Sequence, residues 1–270
     1  MYSLHKISVS LLFVLFSLTS RGGNPYDIAS ASGMGMGSLC TTRTGLWSSF
    51  INPAQAAGMN SMVAGVNYEN RFGLQELGKK SVAAIIPSGK TPVGFLYSYF
   101  GNHDYRRQGI ILSSGKYLTE KISGGITAEY YSEKVSGEYN DNRFISFRAG
   151  MVARVTEKTS LSISVFNPLP NSLREADLPS ALVVGAGMRL SDAAFFGAEA
   201  EMVSGRGMNV RTGFEYSPSE SFRFRGGFST ENTSFSIGLG YAVKKVNVDL
   251  GFASHERLGI TSAIGIEFKI

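Results

Sequence analysis

The sequence contains a single cysteine, Cys40, and only three histidines. One cysteine cannot form an internal disulfide, and a lone cysteine of this kind is usually a small buried apolar side chain. His5 lies near the start of the chain. His103 and His255 lie in predicted loops, and neither has a GxSxG nucleophile or a metal-ligand spacing around it. These shortages exclude the common catalytic and metal-binding patterns, and we expect neither an enzyme nor a cofactor.

Charge is also scarce, since 17% of the residues are charged and the formal net charge of +5 is spread along the chain. Without a basic cluster, nucleic acid is not an expected partner. Long apolar runs are missing too, because the longest one, from Ile7 to about Leu18, is shorter than the roughly 18 residues of a membrane-spanning helix. With Lys6 before it and small residues after it, this run predicts a signal peptide over residues 1–20, and therefore export.

Alternation of apolar with small or polar residues is abundant over residues 61–270. In the stretch SFSIGLGYAV, which begins at Ser234, every odd-numbered residue is apolar and every even-numbered one is Ser, Gly or Ala. A period of two is typical of a strand with one face in an apolar medium. The pattern recurs between turns rich in Gly, Ser, Asn, Asp, Lys and Pro. It predicts about 14 strands, or about 12 if the early ones merge.

The strands of a soluble β-sandwich also alternate, so alternation alone does not indicate a membrane barrel. Two further features distinguish the two folds. The apolar faces are nearly uninterrupted and carry aromatic residues near their ends, as a lipid-facing band does. Short connections such as LTE, SDA and VKK occur between longer ones such as GNHDYRR and NPLPNSLREADLPS. Both features favour an all-β, closed antiparallel transmembrane β-barrel in the cell outer membrane, with outer-membrane lipid as a partner. A secreted β-protein is the alternative.

The face opposite the apolar band would line the barrel lumen. Glycine recurs on this face, which indicates a lumen filled by another segment rather than by water. The inward charges predict a ladder across strands, with Glu201 opposite Arg211 and Glu215 opposite Arg223. The predicted ladder comprises Arg148, Arg154, Glu199, Glu201, Arg211, Glu215, Arg223 and Arg225. It either neutralises the wall or contacts a substrate.

Residues 21–60 lack sustained alternation and include the only tryptophan, Trp47. Closely spaced glycines permit tight bends, Phe50 adds bulk, and Asn52 with Pro53 can cap a short helix that begins at Ala54. We expect this segment to fold into the lumen as a plug, with these five residues at its gate. The alternative is a disordered leader that merely precedes the first strand.

The order of signal peptide, glycine run over residues 33–37, Asn52-Pro53-Ala54 and barrel resembles a known pattern. It is similar to the FadL-like outer-membrane transporters of hydrophobic compounds, and to the related PorV and PorQ barrel proteins of Bacteroidetes type IX secretion. The resemblance implies a barrel of about 14 strands. It also implies either a hydrophobic small-molecule ligand or secretion-complex proteins as partners.

The sequence departs from that pattern in two places. The longest candidate loop, from Asn167 to Ser180, leaves little room for the large outer loops of FadL-like transporters. The chain ends in Phe268-Lys269-Ile270 rather than in an aromatic residue. Two functions therefore stay open: passage of an apolar small molecule through a plugged barrel, or docking within a secretion complex without solute transport. A general porin would need an open lumen, against which the inward glycines and paired charges argue.

Overall fold

The computed structural model describes residue 28 and residues 30–137, 142–168 and 178–270. The predicted signal peptide, residues 1–20, and residues 21–27 and 29 of the predicted plug lie outside the described residues. Within the described ranges, no helix is long and apolar enough to cross a membrane.

Fourteen antiparallel strands form one closed barrel, in which each strand pairs with its neighbours in sequence and β1 pairs with β14. The strand number agrees with the larger of the two predicted values. The strands are β1 (Val63–Asn70), β2 (Gly78–Ile86), β3 (Val93–Gly101), β4 (Tyr105–Tyr117), β5 (Ile122–Val135), β6 (Asn142–Arg154), β7 (Thr159–Phe166), β8 (Ala181–Arg189), β9 (Ala194–Val203), β10 (Met208–Tyr216), β11 (Phe222–Ser229), β12 (Ser234–Val243), β13 (Val246–His255) and β14 (Gly259–Lys269).

The predicted alternation sorts residues between the two faces of the wall. Ile145 of β6 is 69% exposed on the outer face, while its neighbour Ser146 is 1% exposed on the inner face. Ile237 and Ser236 of β12 show the same contrast, at 66% and 5%. A continuous apolar outer surface of this kind is energetically costly in water and suits contact with lipid.

The two ends of the barrel differ in their connections. At the end where Val63 and Lys269 lie, here called the turn end, the strands are joined through residues 87–92, 118–121, 155–158, 190–193, 217–221 and 244–245. At the opposite loop end, the connections are residues 71–77, 102–104, 136–141, 167–180, 204–207, 230–233 and 256–258. The longest of all, residues 167–180, is at the loop end, as predicted. His255 is the last residue of β13 rather than a loop residue.

Among the described residues before β1, three short helices are present: α1 (Ala31–Met34), α2 (Ser48–Ile51) and a 3₁₀ helix (Pro53–Gly58). Further 3₁₀ turns, Arg71–Gly73, Gln75–Leu77 and Glu231–Thr233, belong to loop-end connections. Residues 30–59 are mostly buried although they contribute no strand. Their environment is therefore the inner face of the barrel wall.

Candidate functional site

The N-terminal segment, residues 30–59, packs directly against wall glycines. A methyl group on Gly125 of β5 would lie 2.7 Å from the Ala54 nitrogen, and one on Gly150 of β6 would lie 2.9 Å from Cδ of Pro53. A Cβ atom does not approach a non-bonded atom so closely in folded proteins. Only glycine therefore lets the wall contact the backbone of the segment here.

The same relationship recurs on the other side of the lumen. A methyl group on Gly238 of β12 would lie 2.9 Å from Cα of Gly35, and one on Gly227 of β11 would lie 2.8 Å from Cα of Gly37. The Gly37 N–H also donates to the Ser236 hydroxyl at 2.7 Å. The inward glycines thus coincide with close approach of the segment.

Asn52, Pro53 and Ala54 form the start of the 3₁₀ helix. The Asn52 side-chain oxygen accepts a hydrogen bond from the Ala54 N–H at 3.2 Å, and Pro53 is the first helical residue, where its missing N–H is not needed. The Asn52 amide donates to the Thr41 carbonyl at 3.3 Å. The predicted cap is confirmed, and Asn52 in addition joins two parts of the segment.

Trp47 and Phe50 are also buried within the segment. Trp47 precedes α2 and lines a cavity near the turn end. The Phe50 ring packs against the backbone of Gly94 in β3. At the end of α2, the Ile51 carbonyl accepts from the Ser164 hydroxyl of β7 at 2.6 Å. The five predicted gate residues therefore belong to one buried unit.

Glu199 of β9 anchors the segment through hydrogen bonds. One of its carboxylate oxygens accepts from the Cys40 N–H at 3.0 Å, the Thr41 N–H at 2.5 Å and the Thr41 hydroxyl at 2.7 Å. The Thr41 hydroxyl also lies 2.8 Å from that of Ser162. A buried carboxylate requires such donors, so this member of the predicted ladder holds the segment in place.

A chain of ion pairs provides the second anchor. Arg43 of the segment pairs with Glu215 of β10 at 2.8 Å, Glu215 pairs with Arg225 of β11 at 2.6 Å, and Arg225 pairs with Asp249 of β13 at 2.5 Å. Three strands and the segment are thereby linked through alternating charges. Little net charge is left in this part of the interior.

The predicted register of the ladder is wrong at both turns. Glu199, not the predicted Glu201, lies opposite Arg211, although Arg211 still forms its ion pair with Glu201. Glu215 lies opposite Arg225 and pairs with it, so the predicted pairing with Arg223 is wrong. The turn between β10 and β11 is centred one residue later than expected. This shift changes the partner by two positions and leaves every side chain on its predicted face.

Two other members of the predicted ladder lie outside the buried network. Arg154, at the end of β6, is exposed at the turn end and donates to the Glu120 carbonyl at 2.9 Å. Arg223 is half-buried beside a turn-end cavity. Arg148, in contrast, lies within the wall and pairs with the buried Glu129 at 3.0 Å. The sequence pattern showed that these side chains point inward. It did not show whether a residue lies in the middle of a strand, where it is buried, or at the end, where it is exposed.

A cavity of about 730 Å³, here called the loop-end chamber, lies above the segment. Its floor includes Ile28, Met34, Cys40 and Ile51. Much of its wall is polar and charged: Glu69, Arg71, Glu201, Arg206, Asn209, Arg211, Glu231, Asn232, Ser234 and Thr261. The chamber therefore combines an apolar floor with a polar wall.

An apolar cluster continues from the chamber floor into the barrel. Ile28 and Ile51 belong to both the cluster and the floor. The strand residues of the cluster are Val63, Ala83, Ile85, Leu96, Ile111, Tyr131, Phe144, Phe166, Ala181 and Val203. This part of the interior is mostly apolar, although it contains the Arg148–Glu129 pair, whereas the linked chain of ion pairs lies near β10 to β13.

Two smaller cavities open toward the turn end, with volumes of about 330 Å³ and 230 Å³. Arg43 and Thr44 line both of them. The N-terminal segment therefore separates the loop-end chamber from these turn-end cavities. Within the described ranges, no three His, Cys, Asp or Glu residues are grouped so that they could hold a metal ion.

Sequence analysis missed the residues through which the segment is attached. Arg43 and Thr41 lie in a stretch without periodicity, and no pattern there assigns a side chain to a face. Asp249 did lie on the predicted inward face of its strand. Its inward position two strands from Arg225 was the available signal for a longer chain of charges.

Comparison with known proteins shows similarity of structure rather than of sequence. No protein-family model and no curated protein sequence matches the chain. A Pseudomonas aeruginosa FadL homologue aligns with a TM-score of 0.65 and 13% identity over 92% of this chain and 98% of its own. The Pseudomonas putida toluene transporter TodX gives 0.66 and 11% over 90% and 98%, and a TodX deltaS2 mutant gives 0.69 and 10% over 91% and 100%. The fold is therefore FadL-like.

Proposed function

We propose that this chain is an outer-membrane barrel protein that takes up a hydrophobic small molecule from the loop end. The observation that carries the proposal is the loop-end chamber, which is closed below by the N-terminal segment within a barrel of FadL-like fold. TodX, one of the similar structures, is a toluene transporter. The apolar outer surface of the barrel supports a membrane location.

The lining of the chamber suggests how such a molecule would be held. Ile28, Met34 and Ile51 offer apolar contact at the floor, and the polar wall would surround the part that faces the outside. A pocket with an apolar base and a few polar groups is typical of small-molecule sites. We infer that the bound molecule has an apolar part oriented toward Ile51.

Passage beyond the chamber requires the N-terminal segment to move. Asn52, Pro53 and Ala54 fill the space beside β5 and β6, and Arg43 and Glu199 attach the segment to the opposite wall. In this proposal, the predicted plug is the closed gate. Trp47, the only tryptophan of the chain, lies within the moving part and reports on it directly.

The proposal is tested with purified protein in a neutral detergent, with toluene and palmitate as probes. We expect saturable binding and a change in Trp47 emission as the chamber fills. Thr261→Phe narrows the chamber and should weaken binding. Ile260→Phe places the same ring on the outer face, where Ile260 is 63% exposed, and should leave binding unchanged. Failure of both probes to bind the unmodified protein would refute the proposal.

Docking within a type IX secretion complex, as in PorV and PorQ, is the second candidate. The filled lumen with its buried ion pairs favours it, since a docking protein needs no open path. Native mass spectrometry of protein extracted gently from its own membrane separates the two functions. A small-molecule adduct on the isolated chain supports uptake, and a stoichiometric protein complex without such an adduct supports docking.

A further inference from the structure

We propose that the barrel has a second binding site, for a small anion, in the turn-end cavity of about 330 Å³. This cavity lies between the N-terminal segment and the ends of strands β4 to β9. Its lining includes Thr42, Arg43, Thr44, Gln55, Tyr117, Lys121, Ser123, Arg154, Thr156, Glu157, Lys158, Thr159, Ser160, Arg189 and Phe195. The site is distinct from the loop-end chamber and does not depend on what the chamber binds.

Charge is the first reason for this assignment. Five cationic side chains line the cavity, namely Arg43, Lys121, Arg154, Lys158 and Arg189, against a single carboxylate, Glu157. Arg43 is neutralised by Glu215. Four cations and one carboxylate therefore remain at the mouth. Such an excess focuses a positive potential in a concave space and attracts anions.

The neighbouring cavity of about 230 Å³ shows that this excess is local. It is lined by Arg43, Arg223 and Arg225, but also by Asp249 and Glu267. Arg225 is already paired with Asp249 there. The two cavities open at the same end of the barrel, and the larger one carries most of the uncompensated positive charge.

Arg154 and Arg189 are held in equivalent positions. Nη2 of Arg154 donates to the Glu120 carbonyl at 2.9 Å, and Nη2 of Arg189 donates to the Glu157 carbonyl at 2.7 Å. Glu120 lies in the turn between β4 and β5, and Glu157 lies in the turn between β6 and β7. The Arg154 guanidinium also lies 5.6 Å from the centre of the Tyr117 ring. One N–H group orients each guanidinium, and the others stay available to a phosphate or a carboxylate.

An unsatisfied polar group is the second, independent reason. Thr42 is buried, with 6% of its surface exposed, and its hydroxyl has no hydrogen-bond partner among the described residues. Such a group is rare in folded proteins and indicates a missing partner. A buried hydroxyl without a partner therefore lines the same cavity that carries the excess of cationic side chains.

The geometry points to a small organic anion with a phosphate or carboxylate group. A volume of about 330 Å³ equals that of about ten water molecules, which accommodates a phosphate monoester but not a folded segment of protein. The phosphate could belong to a free solute or to a lipid headgroup. The inward positions of Arg154 and Arg189 favour a solute that enters from the aqueous side.

The test measures binding of inorganic phosphate and glycerol 3-phosphate by calorimetry, in a neutral detergent at low salt. The protein should bind both, and the affinity should fall as salt is added. The triple variant Arg154→Gln, Lys158→Gln and Arg189→Gln should bind at least about tenfold more weakly. A matched control replaces Lys90, Lys244 and Lys245 by Gln, which removes the same charge from turns outside this cavity, and should retain binding within about twofold.

Three results would decide the proposal. No binding to the unmodified protein overturns it, and so does equal loss in the two triple variants, because that outcome reflects net charge alone. Selective loss in the first variant supports it, provided that both variants show the same barrel mobility in electrophoresis without heating. Repeating the titration in phosphatidylglycerol and phosphatidylcholine nanodiscs identifies the source. Weaker binding of the anion in phosphatidylglycerol than in phosphatidylcholine nanodiscs assigns the site to a headgroup phosphate. Equal binding in the two lipids assigns the site to a free anion.

Discussion

Arg43, in the segment that precedes the barrel, forms an ion pair with Glu215 of β10 at 2.8 Å across a sequence separation of 172 residues. Glu215 is held from its other side by Arg225. The pair therefore joins a part of the chain without regular strands to the wall at a carboxylate that Arg225 already neutralises. Changes at Arg43 should affect the attachment of the segment more than the barrel itself.

Replacing Arg43 by Met tests this attachment. Glu215 keeps its pair with Arg225, so the barrel should still form, while the segment loses about 1 kcal/mol of attachment. We expect faster quenching of Trp47 fluorescence by acrylamide. Lys90→Met removes one charge from an exposed turn and serves as the control. Equal quenching of Arg43→Met and the unmodified protein would show that this ion pair does not hold the segment.

Adjacent glycines of β11 provide a stricter test of close packing. Gly227 faces the segment, and a methyl group there would lie 2.8 Å from Cα of Gly37, whereas a methyl group on Gly226 meets no atom within 4 Å. Gly227→Ala should displace the segment or reduce the free energy of unfolding by about 2 kcal/mol or more. Gly226→Ala should be neutral or slightly stabilising. Urea unfolding in lipid vesicles, followed by Trp47 emission, measures both. Similar values for the two variants would contradict the packing of the segment against this wall.

Asn52→Ala should destabilise the start of the 3₁₀ helix. The substitution removes the acceptor for the Ala54 N–H and the donor to the Thr41 carbonyl, and the expected loss is about 1–3 kcal/mol. Asn52→Ser retains an oxygen for the cap but no amide donor, so its loss should be smaller. The same unfolding experiment orders the three proteins. A serine variant as unstable as the alanine variant would assign the role of Asn52 to its amide group alone.

The Arg148–Glu129 pair predicts strong non-additivity. Glu129 is buried and also accepts from the Thr127 and Tyr131 hydroxyls at 2.7 Å and 2.6 Å. Removing either charge leaves the other buried, so Glu129→Leu or Arg148→Met should cost about 3–5 kcal/mol. The double variant should recover a substantial part of that loss. Additive losses in the double-mutant cycle would indicate that the two groups do not interact.

Strand positions and the inner and outer faces could be predicted because alternation is a property of each strand by itself. The assignments of Ser236 to the lumen and Ile237 to the outer face needed no knowledge of the neighbouring strands. The register between neighbouring strands could not be predicted in this way, because it depends on the residue at which the chain reverses direction in each turn. Turn centres one residue from their predicted places moved Glu215 from Arg223 to Arg225 without changing any face.

The attachment of the N-terminal segment could be predicted only in outline. Glycine on the inner face indicated that something fills the lumen, and Asn52-Pro53 indicated a capped turn. The contacts of Arg43 and Thr41 join residues more than 150 positions apart in sequence. No local pattern encodes such partners, because several carboxylates lie on the inner face and the sequence does not show which of them the segment meets.

The seam between β1 and β14, described above as the closure of the barrel, also constrains the order of assembly. The segment contacts β12 through Gly37 and Ser236, which are 199 residues apart, and the chain has to complete nearly the whole wall before that contact can form. Folds dominated by such distant contacts form slowly. An already closed wall would leave the segment no side entrance. Once the first and last strands have joined, the segment can enter the lumen only through an end of the barrel.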